Sequence, residues 1–334
     1  VDFEASEDQA AILEAVGALL ARRAGPERAA ALAAKGGYDG ELEAALAETG
    51  FLELARGEET GPLEAALLVE EVARAAGLAA VGAAALVAPG VTRADLPGPV
   101  ALAQVDTTAP VRFAHHARTL LVADGDAARA VALEAGDVEP VPSNFGYPMG
   151  RVRPEALRRG EDLGPGAGGR LLRWWRVALA AEMAGTMRGA LATTLDYVKR
   201  RRQFGRALGS FQAVQHRLAR CHVAVEGSAW LAREAAHHGA PAQAAALAAG
   251  HAADAAQRVF AESHQFSGAM GFTREHDLHI WSLRLQALRL ELGGAAAHRR
   301  AAAAARWGGE GEGGGAAASG GGPGGPARAG ARTP

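Results

Sequence analysis

The sequence predicts a mainly α-helical chain interrupted by a short β segment, and three observations carry that reading. Apolar residues recur every three or four positions through both ends of the chain, the period of helices with one buried face. Between about residues 96 and 169 this period gives way to short apolar runs divided by Pro, Gly and Asp, the pattern of strands and turns. Alanine is abundant and aromatic residues make up only 5% of the chain, a balance that favours helices. A length of 334 residues is ordinary for two or three domains.

Taken in order, Ser6 to Arg23 forms the first expected helix, with Ser6 as its cap and Ile12, Val16, Leu19 and Leu20 on one face. Gly36 to Asp39 breaks the pattern, Glu41 to Glu48 gives a second helix, and Thr49 to Leu52 turn the chain. After Gly61, Pro62 sits where a first helical turn accepts it, and a helix follows from Leu63 to Ala76 with Leu67, Leu68, Val72 and Ala75 inward. Val100 to Val105, Val111 to Phe113 and Thr119 to Val122 are the expected strands. From Leu171, a long helix carries Leu172, Trp175, Leu179, Met183, Met187, Leu191, Leu195 and Val198 on one face; about 30 residues at 1.5 Å each give roughly 45 Å. Gln212 to about His238, Pro241 to about Gln265 and Thr273 to about Trp307 supply three more helices, and short connections between four long helices imply an antiparallel bundle. Beyond Trp307 the chain is Gly, Ala and Pro with little else, a composition that cannot offset its ordering entropy. The expected divisions are therefore an N-terminal helical domain (1–95), a short β domain (96–169), a four-helix bundle (170–307) and a disordered tail (308–334).

Composition excludes several function classes. Lys and Arg number 35 against 37 Asp and Glu, so no net charge draws the chain to nucleic acid. A single cysteine, Cys221, cannot form an internal disulfide and fits a reducing cytoplasm. Val1 to Ala15 is acidic and amphipathic, unlike a secretory signal. The most apolar stretch, Gly77 to Ala88, falls short of the roughly 20 residues that span a bilayer. His276 and His279 lack the further His or Cys that would complete a metal site, so no metal is expected. Trp174 and Trp175 are read as packing anchors.

The most informative stretch is KRRRQFGRALGSFQAVQ, Lys199 to Gln215. It gathers cations, an aromatic and amides at the end of one helix, a set able to hold the phosphates of a large anionic cofactor. Arg201 offers a donor fork that matches phosphate oxygens. Phe204 supplies a flat apolar face, and Gly205 lets the backbone leave the helix without strain. A solvated run of cations closing a helix is the plainer reading of such a stretch; the downstream Phe211 and Gln212 argue against it. Further on, Gln265, Phe266, Ser267, Gly268, Ala269, Met270, Gly271 and Phe272 form a turn rich in small residues.

These two segments resemble the acyl-CoA dehydrogenase family, whose C-terminal helical domain carries an R-x-x-F-G followed by Phe-Gln, and then a Q-x-x-G-G-x-G-F turn. The run FTREHDLH is similar to the heteromeric branch of that family associated with steroid side-chain breakdown, and ETGFLELARGEETG resembles the family's N-terminal helices. The resemblance covers nearly all of residues 1 to 306. It implies FAD as cofactor, contacted by Arg201, Gln203, Phe204, Phe211, Gln212, Gln265, Gly268 and Ala269, the turn reaching the ADP half of a neighbouring subunit's flavin. Ala269 departs from the second Gly of the pattern. The middle β segment lacks the family's Glu-x-x-x-Gly-Ser run beside the flavin ring.

α,β-Oxidation of an acyl thioester needs a carboxylate to take the α proton while hydride leaves the β carbon for the flavin. The resemblance places that carboxylate at Leu292 or at Trp175, and neither residue can accept a proton. Glu291 is the neighbour of Leu292; one residue along a helix turns a side chain by about 100 degrees, so Glu291 serves only if the helix has unwound there. Glu182 shares the face of Trp175 but lies about 10 Å along the axis, too far for direct replacement. The expectation is a subunit of a heteromeric, FAD-dependent acyl-CoA dehydrogenase acting on an acyl-CoA or steroid-CoA thioester. It would need a second acyl-CoA dehydrogenase-like chain bearing the Glu, and would pass electrons to an electron-transfer flavoprotein or similar acceptor. The alternative is a non-enzymatic scaffold that has lost FAD.

Overall fold

The computed structural model describes residues 5–308. Ser6 Oγ accepts from the Gln9 amide at 3.2 Å and Gln9 Oε1 accepts from the Ser6 amide at 3.1 Å. This reciprocal cap begins α1 (Glu7–Arg23) where the sequence placed it. A second helix, α2 (Pro26–Ala33), was not anticipated; its eight residues are too few to show a period. Asp39 caps α3 (Gly40–Glu48) through the Leu42 amide and takes Arg28 of α2 on both carboxylate oxygens, each at 2.7 Å. Pro62 opens α4 (Pro62–Arg74). The apolar stretch after it holds a π-helical turn, Gly82–Val87, that runs into the short α5 (Ala88–Val91).

The middle segment is two small sheets. One has the order β1 (Val100–Gln104), β3 (Thr119–Asp124), β4 (Ala127–Ala132), β7 (Glu161–Asp162), with β1 and β3 parallel and the others antiparallel. The second is antiparallel and ordered β2 (Val111–Arg112), β6 (Met149–Val152), β5 (Val138–Val141). A short helix, α6 (Pro154–Arg158), precedes β7. The three expected strands are present as β1, β2 and β3. Strands β4 to β7 escaped notice because β4 is mostly alanine, β5 carries Pro140, and β7 is two charged residues; each is held by its neighbour rather than by its own propensity.

Helix α7 (Ala167–Arg200) spans the molecule and packs against α4, α8 (Gln212–His237), α9 (Ala242–Ser267) and α10 (Leu278–Leu288). Glycines allow the close crossings. A Cβ on Gly185 would lie 2.0 Å from the Glu70 carbonyl oxygen of α4, and one on Gly189 would lie 2.2 Å from Trp281 Nε1. The expected fourth helix, Thr273 to Trp307, is corrected by the structure. It starts at Leu278, stops at Leu288, passes through a 3₁₀ turn at Glu291–Gly293 and resumes as α11 (Gly294–Trp307). Leu292, Gly293 and Gly294 have φ of +53°, +84° and +69°, so two glycines supply conformations that a helix cannot contain. One apolar core joins α1, α4, α7, α8, α9 and α10, and a small second core lies within the β segment around Leu120, Val122 and Val131. The glycine-rich tail lies outside the described residues from residue 309 on.

Candidate active site and cofactor surface

The break before α11 turns Glu291 inward, into a cavity of about 630 Å³ between the bundle, the π-helical turn and the sheets. Its walls are largely apolar, with Ala83, Val100, Leu102, Phe113, Phe145, Ala178, Leu179 and Leu290 among them. Its charged residues are Arg112, Glu182 and Glu291. Arg112 leaves the end of β2 and reaches both carboxylates: Nη2 lies 2.7 Å from Glu182 Oε2, and Nε donates to Glu291 Oε1 at 2.7 Å. Trp175 Nε1 donates to the other oxygen of Glu291, Oε2, at 2.9 Å. Thus the two residues at the expected base positions meet at the cavity wall, Trp175 by its side chain and Leu292 through the neighbour it turns inward.

Aromatic faces complete the charged floor. The Arg112 guanidinium lies 5.1 Å from the Phe113 ring centre and 4.9 Å from that of Tyr147, while Arg284 lies 5.1 Å from Tyr147. Arg284 is 2% exposed and donates through Nη1 to the carbonyls of Ala76 and Gly77 at 3.0 and 3.1 Å. Burial pushes Arg112 down, but the charges of Glu182 and Glu291 outweigh it and hold the guanidinium well above its ordinary range. Burial raises Glu182 against the pull of Arg112. It also pushes the Tyr147 phenol up to about 12. Gly82 makes room for this arrangement, since a Cβ there would stand 2.8 Å from Glu182 Oε1.

Sequence reasoning singled out Glu291, Trp175 and Leu292 but missed Arg112, Tyr147 and Arg284, and it set Glu182 aside. The contacts that assemble them span 116 and 179 residues, so no local spacing betrays them. One signal was present: Arg112 is a lone cation between Val111 and Phe113 in an apolar run.

The predicted cofactor residues lie elsewhere, at one end of the bundle. Arg201 ends α7, and the chain then folds into a hairpin of β8 (Arg202–Gln203) and β9 (Arg206–Ala207). Its two turn residues, Phe204 and Gly205, have φ of +53° and +80°, the backbone of a tight hairpin turn. Phe204 is 87% exposed, its ring edge-on to Phe211 at 6.1 Å, and Arg206 stacks over Phe211 at 3.9 Å. Arg201, Gln203 and Gln212 are exposed, and among the described residues no acidic side chain pairs with Arg201.

Gln265, near the end of α9, and Gly268 and Ala269, in the turn after it, are also exposed. Arg217 of α8 ties the end of α9 to the helix that follows the hairpin, 2.6 Å from Glu262 and 4.8 Å over Phe266. Tyr197 of α7 meets His276 at 5.2 Å. Nothing lies within 4 Å of a Cβ placed on Gly205 or Gly268, and both have left-handed φ. The exposed Arg201 guanidinium, exposed amides, an uncovered aromatic face and open glycine backbone together fit the diphosphate end of a dinucleotide. From Glu182 to Arg200, 18 residues of α7 at 1.5 Å each separate this surface from the cavity by about 27 Å. Among the described residues no group of three or more His, Cys, Asp or Glu is placed to hold a metal, and no helix is long and apolar enough to cross a membrane.

Comparisons with known proteins identify the family and the fold. Residues 167–306 match the acyl-CoA dehydrogenase, C-terminal domain family. The acyl-CoA dehydrogenase IpdE2 of Mycobacterium tuberculosis is 32% identical over 299 residues, 83% of this chain and 91% of that protein. IpdE2 of Mycolicibacterium smegmatis is 30% identical over 317 residues, 86% of this chain and 95% of its own. Among solved structures, the steroid acyl-CoA dehydrogenase Tcur3481-Tcur3483, in a G363A variant, superposes with a TM-score of 0.75 at 25% identity, covering 91% of this chain and 99% of that one. The ChsE4-ChsE5 complex of Mycobacterium tuberculosis superposes with a TM-score of 0.72 at 21% identity over 93% of this chain and 99% of that one, a likeness of fold. The chain belongs to the acyl-CoA dehydrogenase family, and a steroid acyl-CoA dehydrogenase is among the solved structures it resembles.

Proposed function

We propose that this chain is one subunit of an FAD-dependent acyl-CoA dehydrogenase that oxidises an acyl-CoA or steroid-CoA thioester in the cytoplasm and depends on a second, Glu-bearing chain for its base. The observation that carries the proposal is the state of Glu291. It is the carboxylate nearest the expected base position, and both of its oxygens are already engaged, by Arg112 and by Trp175. Those two donors tie the carboxylate into the cavity wall, so it is already occupied within this chain. Leu292 and Trp175 offer no proton acceptor.

The opposite end of the bundle supports a role in holding flavin. Arg201, Gln203, Phe204, Phe211 and Gln212 of the hairpin region, with Gln265, Gly268 and Ala269 of the turn, would face the phosphates and adenine end of an FAD bound mainly by the partner. The flavin, when bound, supplies the acceptor for the β hydride. This chain's residues orient its diphosphate and shield it from water; an electron-transfer flavoprotein or similar acceptor would then reoxidise it. A scaffold without FAD is the second reading, and the exposed Phe204 and an exposed Arg201 with no acidic partner among the described residues weigh against it, since packing alone has no use for them.

The test is to purify the chain alone, supply FAD, and assay a panel of acyl-CoA and steroid-CoA thioesters with an artificial electron acceptor, then repeat with a co-expressed partner. No turnover alone and turnover with bound flavin in the pair is the expected outcome. Robust turnover by the chain alone that vanishes in Glu291→Gln would overturn the dependence on a partner.

A further inference from the structure

We infer that Arg112 and Trp175 form a carboxylate-binding site at the cavity wall, that Glu291 fills it as an internal ligand, and that the carboxylate of an apolar monocarboxylic acid takes its place. The site is read from the cavity alone and stands apart from the subunit reading.

Four observations carry it. Arg112 Nε donates to Glu291 Oε1 at 2.7 Å and Trp175 Nε1 donates to Oε2 at 2.9 Å, so donors from two elements, β2 and α7, each hold one oxygen of a single carboxylate. Two donors set one to each oxygen match the planar fork of a carboxylate. The present occupant is carried on a segment able to release it: Glu291 belongs to neither α10 nor α11, Leu292 after it has φ of +53°, a backbone that L side chains rarely adopt, and Leu290 before it is exposed. Its departure leaves Arg112 with an ion pair, because Glu182 stays 2.7 Å from Nη2. Beyond the donors the cavity of about 630 Å³ is walled by Ala83, Val100, Leu102, Ala178, Leu179 and Leu290, an apolar space for the body of the acid.

Charge selects the class of ligand. Arg112 and Arg284 balance Glu182 and Glu291 around Tyr147. Once Glu291 has turned out into water, a monocarboxylate restores that balance, whereas a neutral ligand leaves one guanidinium charge uncompensated where water screens weakly. Arg284 sharpens the requirement, since its Nε and Nη2 are buried with no hydrogen-bond partner among the described residues. The floor is short of acceptors, and an amide would set a further donor against it. Two sources share the required chemistry: a free fatty or steroid acid, and an acyl thioester that carries a second, free carboxyl at its far end.

The experiment titrates the full chain, without FAD or partner, calorimetrically with octanoate and with octanamide. In parallel it uses the N-acetylcysteamine half-thioester of octanedioic acid and the methyl ester of that half-thioester. Each carboxylate should bind at least about tenfold tighter than its neutral counterpart and shift the indole N–H resonance of Trp175. Glu291→Gln removes the competing charge and keeps the size of the side chain. It should tighten octanoate by about tenfold and leave octanamide unchanged, as expected when Glu291 leaves the site free in a tenth or less of the molecules. Trp175→Phe, in a protein that melts as the parent does, should cut the preference for octanoate by about tenfold. Equal affinities for acid and neutral ligand, no binding of either acid, an unmoved indole resonance, or a Glu291→Gln chain that gains for both ligands alike or for neither would overturn the site. Tighter binding of octanoate than of the half-thioester assigns the site to free acids, and the reverse order assigns it to carboxyl-ended acyl chains; either order upholds the carboxylate site. No flavin, partner or turnover enters these measurements, so their failure and the failure of the subunit reading are separate results.

Discussion

Arg201 sits where α7 ends, its backbone N–H bonded to the Tyr197 carbonyl at 2.8 Å and its side chain exposed with no acidic partner among the described residues. Its removal should therefore leave the fold intact and act on the ligand. In the assembled complex, Arg201→Ala is expected to weaken FAD retention by about 1–3 kcal/mol, the range for a charge-assisted contact, measured as flavin content and affinity after dialysis; unchanged values would remove Arg201 from the site. His298 is the opposite case. It is fully buried on α11, with neither ring nitrogen hydrogen-bonded, and burial, with the nearby Arg176 charge, pushes its pKa down to about 4. The unfolded chain binds that proton near the ordinary value of about 6.5, so stability rises with pH between about 4 and 6.5 and falls as acid is added. Replacing His298 by Phe should flatten this part of the pH profile, read from denaturant midpoints at pH 7, 6 and 5; a profile as steep as that of the parent would show that His298 is not the titrating group.

At the scale of elements, the helices were legible because their apolar residues repeat at one period, and α7 was placed almost to its ends. The break before α11 was harder to read. Two adjacent glycines signal an interruption, but only the structure shows that it turns Glu291 by enough to enter the cavity. Gly293 has φ of +84°, and a Cβ there would stand 2.8 Å from that of Ala297. Gly293→Ala should lower stability by about 1–3 kcal/mol and disturb Glu291, visible as a shifted Trp175 indole resonance; an unaltered midpoint and resonance would mean the turn is not set by this glycine. Gly185 tests the crossing of α7 over α4. A methyl group there meets backbone at 2.0 Å, so Gly185→Ala should cost about 1–3 kcal/mol or more by forcing the helices apart. A neutral result in urea denaturation would contradict the close packing.

For the whole molecule, the exposed hairpin proposed to meet the cofactor was legible and the cavity floor was not, for one physical reason. Arg201 to Gln212 are neighbours in sequence and act through exposed groups on one hairpin, so a local motif records them. Arg112, Glu182 and Glu291 meet only after a strand, a helix and a helix break have been packed together, and that assembly depends on the N-terminal helices being seated on the bundle. Glu70 of α4 secures this seating. It is 1% exposed and accepts from Arg188 of α7 at 2.7 Å and from Arg233 of α8 at 2.7 and 3.0 Å, while Arg188 also reaches Glu226. Burial raises the Glu70 carboxyl even as Arg233 and Arg188 draw it down. Removing one member of such a buried network leaves guanidinium charge uncompensated, and Glu70→Gln should therefore lower stability by about 3–5 kcal/mol. Because a single apolar core runs through α1, α4 and the bundle, the loss should appear as one earlier transition and not as two. Hydrogen exchange followed along α4 and α7 in this variant would separate the cases. Joint loss of protection is the expected result, and an α4 that opens while α7 stays protected would mean that the N-terminal helices and the bundle are separate folding units.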